Sequence, residues 1–126
     1  MLNPVDPAFE ARLRAVLPLA AFREAAPRYF EEPRGRYAGS AGLVIAPAST
    51  EEVAAAVKLA NEARVPVIPY GGGTGLVGGQ VSEALAAPLV LSLERMTRIR
   101  AVHPLENVLV AEAGVVLAEV QAAAAE

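Results

Sequence analysis

The sequence predicts an α/β fold: a small βαβ lobe with a short parallel sheet flanked by helices, followed by the start of a second, β-rich lobe with an antiparallel hairpin and a helix. Composition is the first observation. The 126 residues are 54% apolar but contain only three Phe, three Tyr and no Trp, which suits aliphatic helices packed on a parallel sheet. The second is a strand, capped helix and strand in succession. The third is a loop with six glycines, residues 71–79, directly after the second strand.

Residues 1–42 are predicted to form N-terminal helices and an ordered loop. Asp6 followed by Pro7 favours a helix start, because Asp caps the first turn and proline fits its first position. Apolar residues then recur at helical spacing until Pro18, namely Phe9, Leu13, Val16 and Leu17. A second short helix is predicted over residues 19–26. Residues 28–42 are predicted to be an ordered surface loop, whose aromatic residues need packing partners: Tyr29, Phe30 and Tyr37.

Residues 43–70 carry the βαβ pattern. Residues 43–46 form a short apolar strand, and Ser49 with Glu52 forms a capping box that opens a helix ending near Ala63. The buried face of that helix is expected to hold Val53, Ala56, Val57, Ala60 and Ala63. Residues 65–70 are the second strand. We expect the two strands to form a parallel pair through a right-handed crossover, which puts the glycine loop at the carboxyl end of a parallel strand.

The remaining chain is predicted to be mainly β. Residues 88–93 form a third apolar strand, and residues 98–102 and 108–112 alternate apolar and polar side chains as the strands of a half-exposed hairpin. A helix begins at Leu117 and reaches Glu126 without a closing glycine or proline. We therefore expect the chain to end inside an element.

Composition and charge exclude several functions. A net charge of −3 with acids and bases interspersed gives no electrostatic footprint for nucleic acid. The absence of cysteine excludes disulfides and thiol catalysis by this chain, and no metal-ligand spacing occurs. No signal peptide and no transmembrane run is found, so a cytoplasmic protein is predicted. The single histidine, His103, is interpreted as a solvated turn residue.

The glycine loop is interpreted as a phosphate cradle. Successive backbone N–H groups in such a turn form a concave nest that binds anions, and glycine lets a ligand approach the main chain. A flexible linker is disfavoured because the loop carries Leu76 and Val77, which favour burial. A lysine-bearing P-loop is excluded because no lysine follows.

The dinucleotide fingerprint of a Rossmann fold is the remaining alternative. Gly73, Gly75 and Gly78 match its glycine spacing, and Glu94 lies about twenty residues further on. A Rossmann loop must run into a helix, however, and Gly79 and Pro88 leave no room for one.

Several motifs in matching order resemble FAD-linked oxidases of the vanillyl-alcohol-oxidase type, which carry a PCMH-type FAD-binding domain. They occupy residues 44–47, 49–53, 67–79, 91–96 and 110–115, with a partial match at 29–35. Within the family the sequence is similar to the FAD-binding subunit of glycolate oxidase and to D-lactate or D-2-hydroxyglutarate dehydrogenases. The resemblance implies that residues 43–126 are the N-terminal part of such a domain, truncated relative to the family.

The resemblance also implies a site. The residues that would offer N–H groups and a hydroxyl to the FAD pyrophosphate are Gly71, Gly72, Gly73, Thr74 and Gly75. Leu76 and Gly79 would line the approach, and Gly114 is a further candidate contact near the adenine. No His, Cys or Tyr occupies residues 71–79, so the FAD is expected to be non-covalent. Tyr70, beside the loop, is interpreted as a packing or gating residue.

The predicted function is the N-terminal FAD-binding portion of a flavin-dependent 2-hydroxy-acid oxidoreductase, inactive alone and without catalytic residues of its own. The complete enzyme would take a small 2-hydroxy acid and could assemble with other oxidase subunits. One alternative is a non-catalytic truncated lobe that self-associates through the face exposed by truncation. Another is a Rossmann-type NAD-binding module.

Overall fold

Four strands form one mixed sheet and two form a separate hairpin in the computed structural model, which describes residues 1–125. The strands are β1 (Phe22–Arg23), β2 (Leu43–Ile45), β3 (Val67–Tyr70), β4 (Leu89–Ser92), β5 (Ile99–His103) and β6 (Val108–Ala111). The helices are α1 (Pro7–Val16), α2 (Thr50–Ala63) and α3 (Leu117–Ala125). The predicted α/β class is confirmed, and Glu126, at the end of the predicted last helix, lies outside the described residues.

The strand order in the mixed sheet is β1-β2-β4-β3. The expected direct pairing of β2 with β3 is therefore wrong, because β4 lies between them and pairs in parallel with both. Two features explain this order. All residues of β4 are buried, as suits a central strand, whereas β3 contains Pro69, which cannot donate a ladder hydrogen bond and is confined to edges. The glycine loop still begins at the carboxyl end of a parallel strand, as predicted.

Helix α1 begins as predicted. The Asp6 carboxylate accepts a hydrogen bond of 2.7 Å from the backbone N–H of Phe9, and proline occupies the first turn. Phe9 and Leu13 are buried, and so is Leu17 just beyond the helix. Val16 was expected on the same face but is 51% exposed, because it lies off the stripe formed by residues four apart.

Helix α2 is capped by Ser49, whose hydroxyl accepts a hydrogen bond from the N–H of Glu52. The Glu52 carboxylate reaches back to the N–H of Ala48, one residue before the position expected for a capping box. Ala56 and Ala60 are buried against α1, whereas Val57, also predicted on this face, is 45% exposed.

The predicted helix over residues 19–26 does not form. Residues Leu19–Ala21 make one 3-10 turn, and β1 follows in antiparallel pairing with β2. So short a segment has little intrinsic helical stability, and the edge of β2 offers its backbone hydrogen bonds instead. The N–H of Ala46, for example, donates to the carbonyl of Ala21.

The sheet has a different core on each face. On one face, apolar residues of α1, α2 and alternate strand positions such as Ile45 and Leu89 pack together. On the other, Val44 and Val90 pack with Tyr29 and Tyr70. This alternation is the period-two pattern of strands. It places the two tyrosines on the face opposite the helices.

The hairpin of β5 and β6 is confirmed, with a bulge between Ile99 and Ala101. His103 ends β5 and is exposed; a 3-10 turn, Pro104–Glu106, follows it. Among the three helices found in residues 1–125, none has the length and apolar character to span a bilayer. The same residues hold no group of three His, Cys, Asp or Glu side chains placed to bind a metal ion.

Candidate functional site

A cleft of about 520 Å³ opens at the carboxyl ends of β3 and β4. The glycine loop, which leaves β3 after Tyr70, forms one wall through Gly71, Gly72 and Thr74. The opposite wall is the turn of residues 113–116 between β6 and α3, with Leu117 at the start of α3, and Arg28 and Glu94 also line the cleft. The cleft therefore lies between the sheet and the hairpin region, at the edge where parallel sheets bind ligands.

The structure brings together four of the eight predicted site residues. Gly71, Gly72, Thr74 and Gly114 all line the cleft, although Gly114 is about forty residues away in sequence. The others do not line it: Gly73, Gly75, Leu76 and Gly79. Leu76 and Val77 were expected to favour burial but are 49% and 91% exposed.

The backbone of the glycine loop keeps its donors unused. Within residues 1–125, no backbone N–H of residues 71–77 donates a hydrogen bond to another group of the chain. Two carbonyls of the same loop accept hydrogen bonds from side chains. That of Gly75 accepts from Gln80 Nε2 at 2.7 Å, and that of Leu76 accepts from Arg34. A loop whose backbone N–H groups are unused is suited to an anionic ligand.

Five of the six glycines of this loop fall into two groups. Gly73 and Gly78 have φ angles of 71° and 78°, which other residues rarely adopt, so the fold itself requires them. Gly71, Gly72 and Gly79 have no positive φ, and a Cβ at any of them would meet nothing within 4 Å. Since the chain does not need glycine at these three positions, the space beside them is available to a ligand.

Gly114 is required by packing. Its N–H donates to the carbonyl of Met96 at 2.8 Å, and a Cβ would lie 1.8 Å from the carbonyl oxygen of Leu93. The turn before α3 is thereby pressed against the end of β4. The need for glycine at this position is thus explained without a contact to a ligand.

A charged cluster beside the cleft was missed by the sequence reasoning. The Glu94 carboxylate accepts hydrogen bonds from Arg23 Nε at 2.9 Å, from the Tyr29 hydroxyl at 2.9 Å and from Arg28 Nη2 at 3.1 Å. The Arg28 guanidinium also stacks 4.1 Å from the centre of the Tyr29 ring. These residues are up to 71 positions apart, so no local pattern could have revealed the cluster.

The cluster fixes the charges of its members. Burial alone raises the pKa of Glu94, but the hydrogen bonds from Tyr29, Arg28 and Arg23 outweigh it and hold that pKa below its ordinary value. Burial and the neighbouring carboxylate raise the pKa of Tyr29. Glu94 is thus ionised at neutral pH and Tyr29 is neutral. With two arginines against one carboxylate, the cluster has a net positive charge.

Tyr70 is a packing residue. It is 5% exposed, and its ring meets that of Tyr29 edge-on, with 5.1 Å between centroids. Its hydroxyl lies under Gly73, where a Cβ would come within 2.2 Å.

The Rossmann alternative is excluded by this geometry. In the described chain no helix follows the glycine loop before β4 begins at Leu89, so no helix N-terminus faces a pyrophosphate. Glu94, which that alternative would place on a ribose, is held instead by two arginines and a tyrosine.

Comparison with known proteins agrees with a nucleotide site of another kind. A family model described as "FAD binding domain" matches residues 41–126 of the chain. The chain belongs to this family. FAD is therefore the cofactor of this domain, and the matched stretch includes the glycine loop, β4 and the turn at Gly114.

Relatives of this FAD-binding domain include dehydrogenases. A probable mitochondrial D-2-hydroxyglutarate dehydrogenase of Oryza sativa subsp. indica is 40% identical over 66% of this chain and 14% of its own length. A D-lactate dehydrogenase of Archaeoglobus fulgidus is 43% identical over 65% of this chain and 18% of its own length. The chain thus spans less than a fifth of the length of these curated relatives.

Solved structures share the fold. An alkyldihydroxyacetonephosphate synthase superposes with a TM-score of 0.78 at 24% identity, over 97% of this chain and 25% of the other. A p-cresol methylhydroxylase does so with a TM-score of 0.76 at 19% identity, over 98% of this chain and 26% of the other. At these identities the likeness concerns the fold.

The residues present fit the pyrophosphate of FAD. Unused N–H groups at the edge of a parallel sheet, and open space beside Gly71 and Gly72, form a cradle for phosphate oxygens. Thr74 lies in the same wall, and two members of the net positive cluster, Arg28 and Glu94, line the cleft as well. The donor set is therefore complementary to an anion.

Proposed function

We propose that this chain is the FAD-binding portion of a flavin-dependent 2-hydroxy-acid oxidoreductase of the glycolate oxidase or D-lactate dehydrogenase type. The observation that carries the proposal is the glycine loop, with unused N–H groups and three glycines that the fold does not require. The names of the relatives, D-2-hydroxyglutarate dehydrogenase and D-lactate dehydrogenase, support the substrate class.

The proposed contacts follow the position of each residue. Gly71 and Gly72 give N–H groups to the pyrophosphate from the wall of the cleft, and Thr74 gives an N–H and its hydroxyl. Gly73 and Gly75 are proposed to give their backbone N–H groups to the pyrophosphate as well. That Leu76 and Gly79 line the approach to the site stays a prediction. The same holds for a contact of Gly114 near the adenine. Because residues 71–79 contain no His, Cys or Tyr, the FAD is proposed to be non-covalent.

FAD, when bound, supplies the hydride acceptor for oxidation of the substrate α-carbon. The residues of this chain bind and orient the cofactor. The loop N–H groups fix its phosphates, and the ion pairs of Glu94 keep Arg28 facing the cleft. None of the residues described here is proposed to take a proton from the substrate, so the chain is proposed to be inactive alone.

Three further predictions are carried forward untested. They are a small 2-hydroxy acid as substrate of the complete enzyme, assembly with other oxidase subunits, and a cytoplasmic location. Self-association of the chain is a fourth. Its motivation is a set of apolar side chains that are exposed in the hairpin region, such as Leu105, Val116 and Leu117.

Titration of the chain with FAD, followed by ¹⁵N–¹H correlation NMR, tests the proposal. At 13.1 kDa the chain gives resolved amide signals, and the method detects weak binding. We expect the signals of Gly71, Gly72 and Thr74 to shift, together with those of residues 113–116. Gly72→Val should remove the shifts without unfolding the chain, because a side chain there fills the space meant for the phosphates.

Ala84→Val is the matched control, since Ala84 is an exposed loop residue that does not line the cleft. It should bind FAD as the wild type does. Absence of any shift in residues 71–75 of the wild type at saturating FAD would overturn the proposed role of the loop.

A further inference from the structure

A tight turn lies against the glycine loop. It comprises residues 31–38, closed by a β-bridge between Glu31 and Ala38. Gly35, with a φ of 66°, forms its tip, and its N–H donates to the carbonyl of Glu32 at 3.0 Å. The backbone of this turn is thus ordered by its own hydrogen bonds, and it can serve as a rigid support.

Glu32 is the unusual residue of the turn. It is 4% exposed, and one carboxylate oxygen accepts the N–H of Arg36. Its other oxygen, Oε2, has no hydrogen-bond partner within residues 1–125, and lies 3.7 Å from Arg34 Nε. A buried carboxylate is costly unless a cation compensates it. The fold therefore ties the Arg34 guanidinium to this position.

Arg34 connects the turn to the glycine loop. Its Nη2 donates to the carbonyl of Leu76, 42 residues further along the chain. Tyr37 makes a second contact between the turn and the loop. Its ring packs against Gly78, where a Cβ would lie 3.1 Å from the ring. Arg34 binds a carbonyl and Tyr37 packs against a glycine. Neither contact involves the backbone N–H groups of residues 71–77, which stay unused.

We propose that Arg34, oriented by the buried Glu32 carboxylate, is a positioning residue that holds the glycine loop in its phosphate-binding shape. The inference rests on the proposed function of the loop. By fixing the Leu76 carbonyl, Arg34 orders the loop before a ligand arrives, so less conformational entropy is lost on binding. Neither Arg34 nor Leu76 lines the cleft, so Arg34 acts on the loop from outside the cleft.

Arg34→Gln and Arg36→Gln are a matched pair for the test. They remove the same charge from the same turn, but in the described chain the Arg36 side chain makes no hydrogen bond. We expect Arg34→Gln to weaken FAD binding by roughly five- to tenfold, the scale of losing one ordinary hydrogen bond. Arg36→Gln should bind FAD as the wild type does. Affinities are measured by the NMR titration described above.

A second variant separates positioning from stability. Arg34→Gln alone leaves the buried Glu32 carboxylate without its cation, which destabilises the turn. Glu32→Gln/Arg34→Gln removes that penalty and should unfold near the wild-type temperature, while FAD binding stays weak. Arg34→Lys, which keeps a cation and a donor, should recover part of the affinity.

A measurement without ligand completes the test. In ¹⁵N relaxation of the free chain, the order parameters of residues 74–78 should fall in Arg34→Gln and stay unchanged in Arg36→Gln. If the wild type binds FAD and both variants bind equally well with an equally ordered loop, the positioning role of Arg34 is wrong. If the wild type shows no shifts, the proposed function itself fails, and the relaxation data still decide whether Arg34 orders the loop.

Discussion

The two regions that form the cleft are stabilised in different ways. Every buried apolar residue of the described chain lies within residues 1–96, in α1, α2, the mixed sheet and the segments beside them. Residues 97–125, which form the hairpin and α3, contribute no fully buried apolar residue, and Val110 and Leu117 are 41% and 68% exposed. Residues 1–96 thus have a hydrophobic core, whereas residues 97–125 form a thin layer beside it that has no core of its own.

Polar and backbone contacts attach the second region to the first. The N–H of Gly114 donates to the carbonyl of Met96, and the tight packing of Gly114 on Leu93 excludes any side chain. Within the hairpin, the buried Glu112 carboxylate pairs with Arg98 and Arg100. The cleft therefore lies between a region that is stabilised by core packing and a region that is attached by a few hydrogen bonds. The glycine loop extends from the first region, after β3, but is itself mostly exposed.

The largest effect is expected in the core of the first region. Leu13→Ala should lower the free energy of unfolding by about 2 to 5 kcal/mol, because Leu13 is 0% exposed between α1 and the sheet and its truncation leaves a cavity. Leu105→Ala, the same change at a fully exposed hairpin residue, should alter it by less than about 0.5 kcal/mol. Urea unfolding measures both. Equal losses would mean that the two regions are not stabilised differently.

Local sequence signals predicted most of this framework. Asp6 and Ser49 marked the starts of α1 and α2, and alternating apolar residues marked both strands of the hairpin. These features depend on neighbours within a few residues. The position of the glycine loop after β3 followed from the order of the elements.

Two features that were predicted wrongly, the strand order and the helix over residues 19–26, depend on contacts between separate segments of the chain. The position of β4 between β2 and β3 depends on which strand pairs on both of its sides. Pro69 in β3 was the one local sign, because proline favours an edge strand. Residues 22–23 were predicted to be helical but form a strand, because their backbone pairs with the edge of β2. Of the residues that line the cleft, Gly71, Gly72 and Thr74 were predicted from the loop pattern. The contacts of Arg34 and Glu94 were not predicted, because their partners lie more than 40 residues away.

An intermediate effect is expected for Glu94, at the border between the two regions. Glu94→Gln should lower the free energy of unfolding at neutral pH by about 1 kcal/mol, since it weakens charge-assisted hydrogen bonds on a side chain that is still 27% exposed. The pKa of Glu94 is depressed in the folded state, below its ordinary value of 4.5. Its stabilisation is therefore complete above that value and is lost as the pH falls through the folded-state pKa.

Urea unfolding of wild type and Glu94→Gln from neutral to acid pH measures this dependence. The two curves should differ at pH 7 and converge in acid. Glu106→Gln, at an exposed carboxyl in the turn between β5 and β6, serves as the control and should follow the wild type throughout. A gap between wild type and Glu94→Gln that persists unchanged into acid would contradict the ion-pair role.

The smallest effect is expected for Val110→Ala in β6, compared with Val44→Ala in β2. Both residues are strand valines, but Val44 is 0% exposed and Val110 is 41% exposed. Val44→Ala should cost about 1 to 3 kcal/mol of unfolding free energy, because it removes buried methyl groups from the tyrosine side of the sheet. Val110→Ala should cost less than about 0.5 kcal/mol. If Val110→Ala costs as much as Val44→Ala, and the loss depends on protein concentration, a second copy covers the hairpin face and the thin layer is a buried interface in solution.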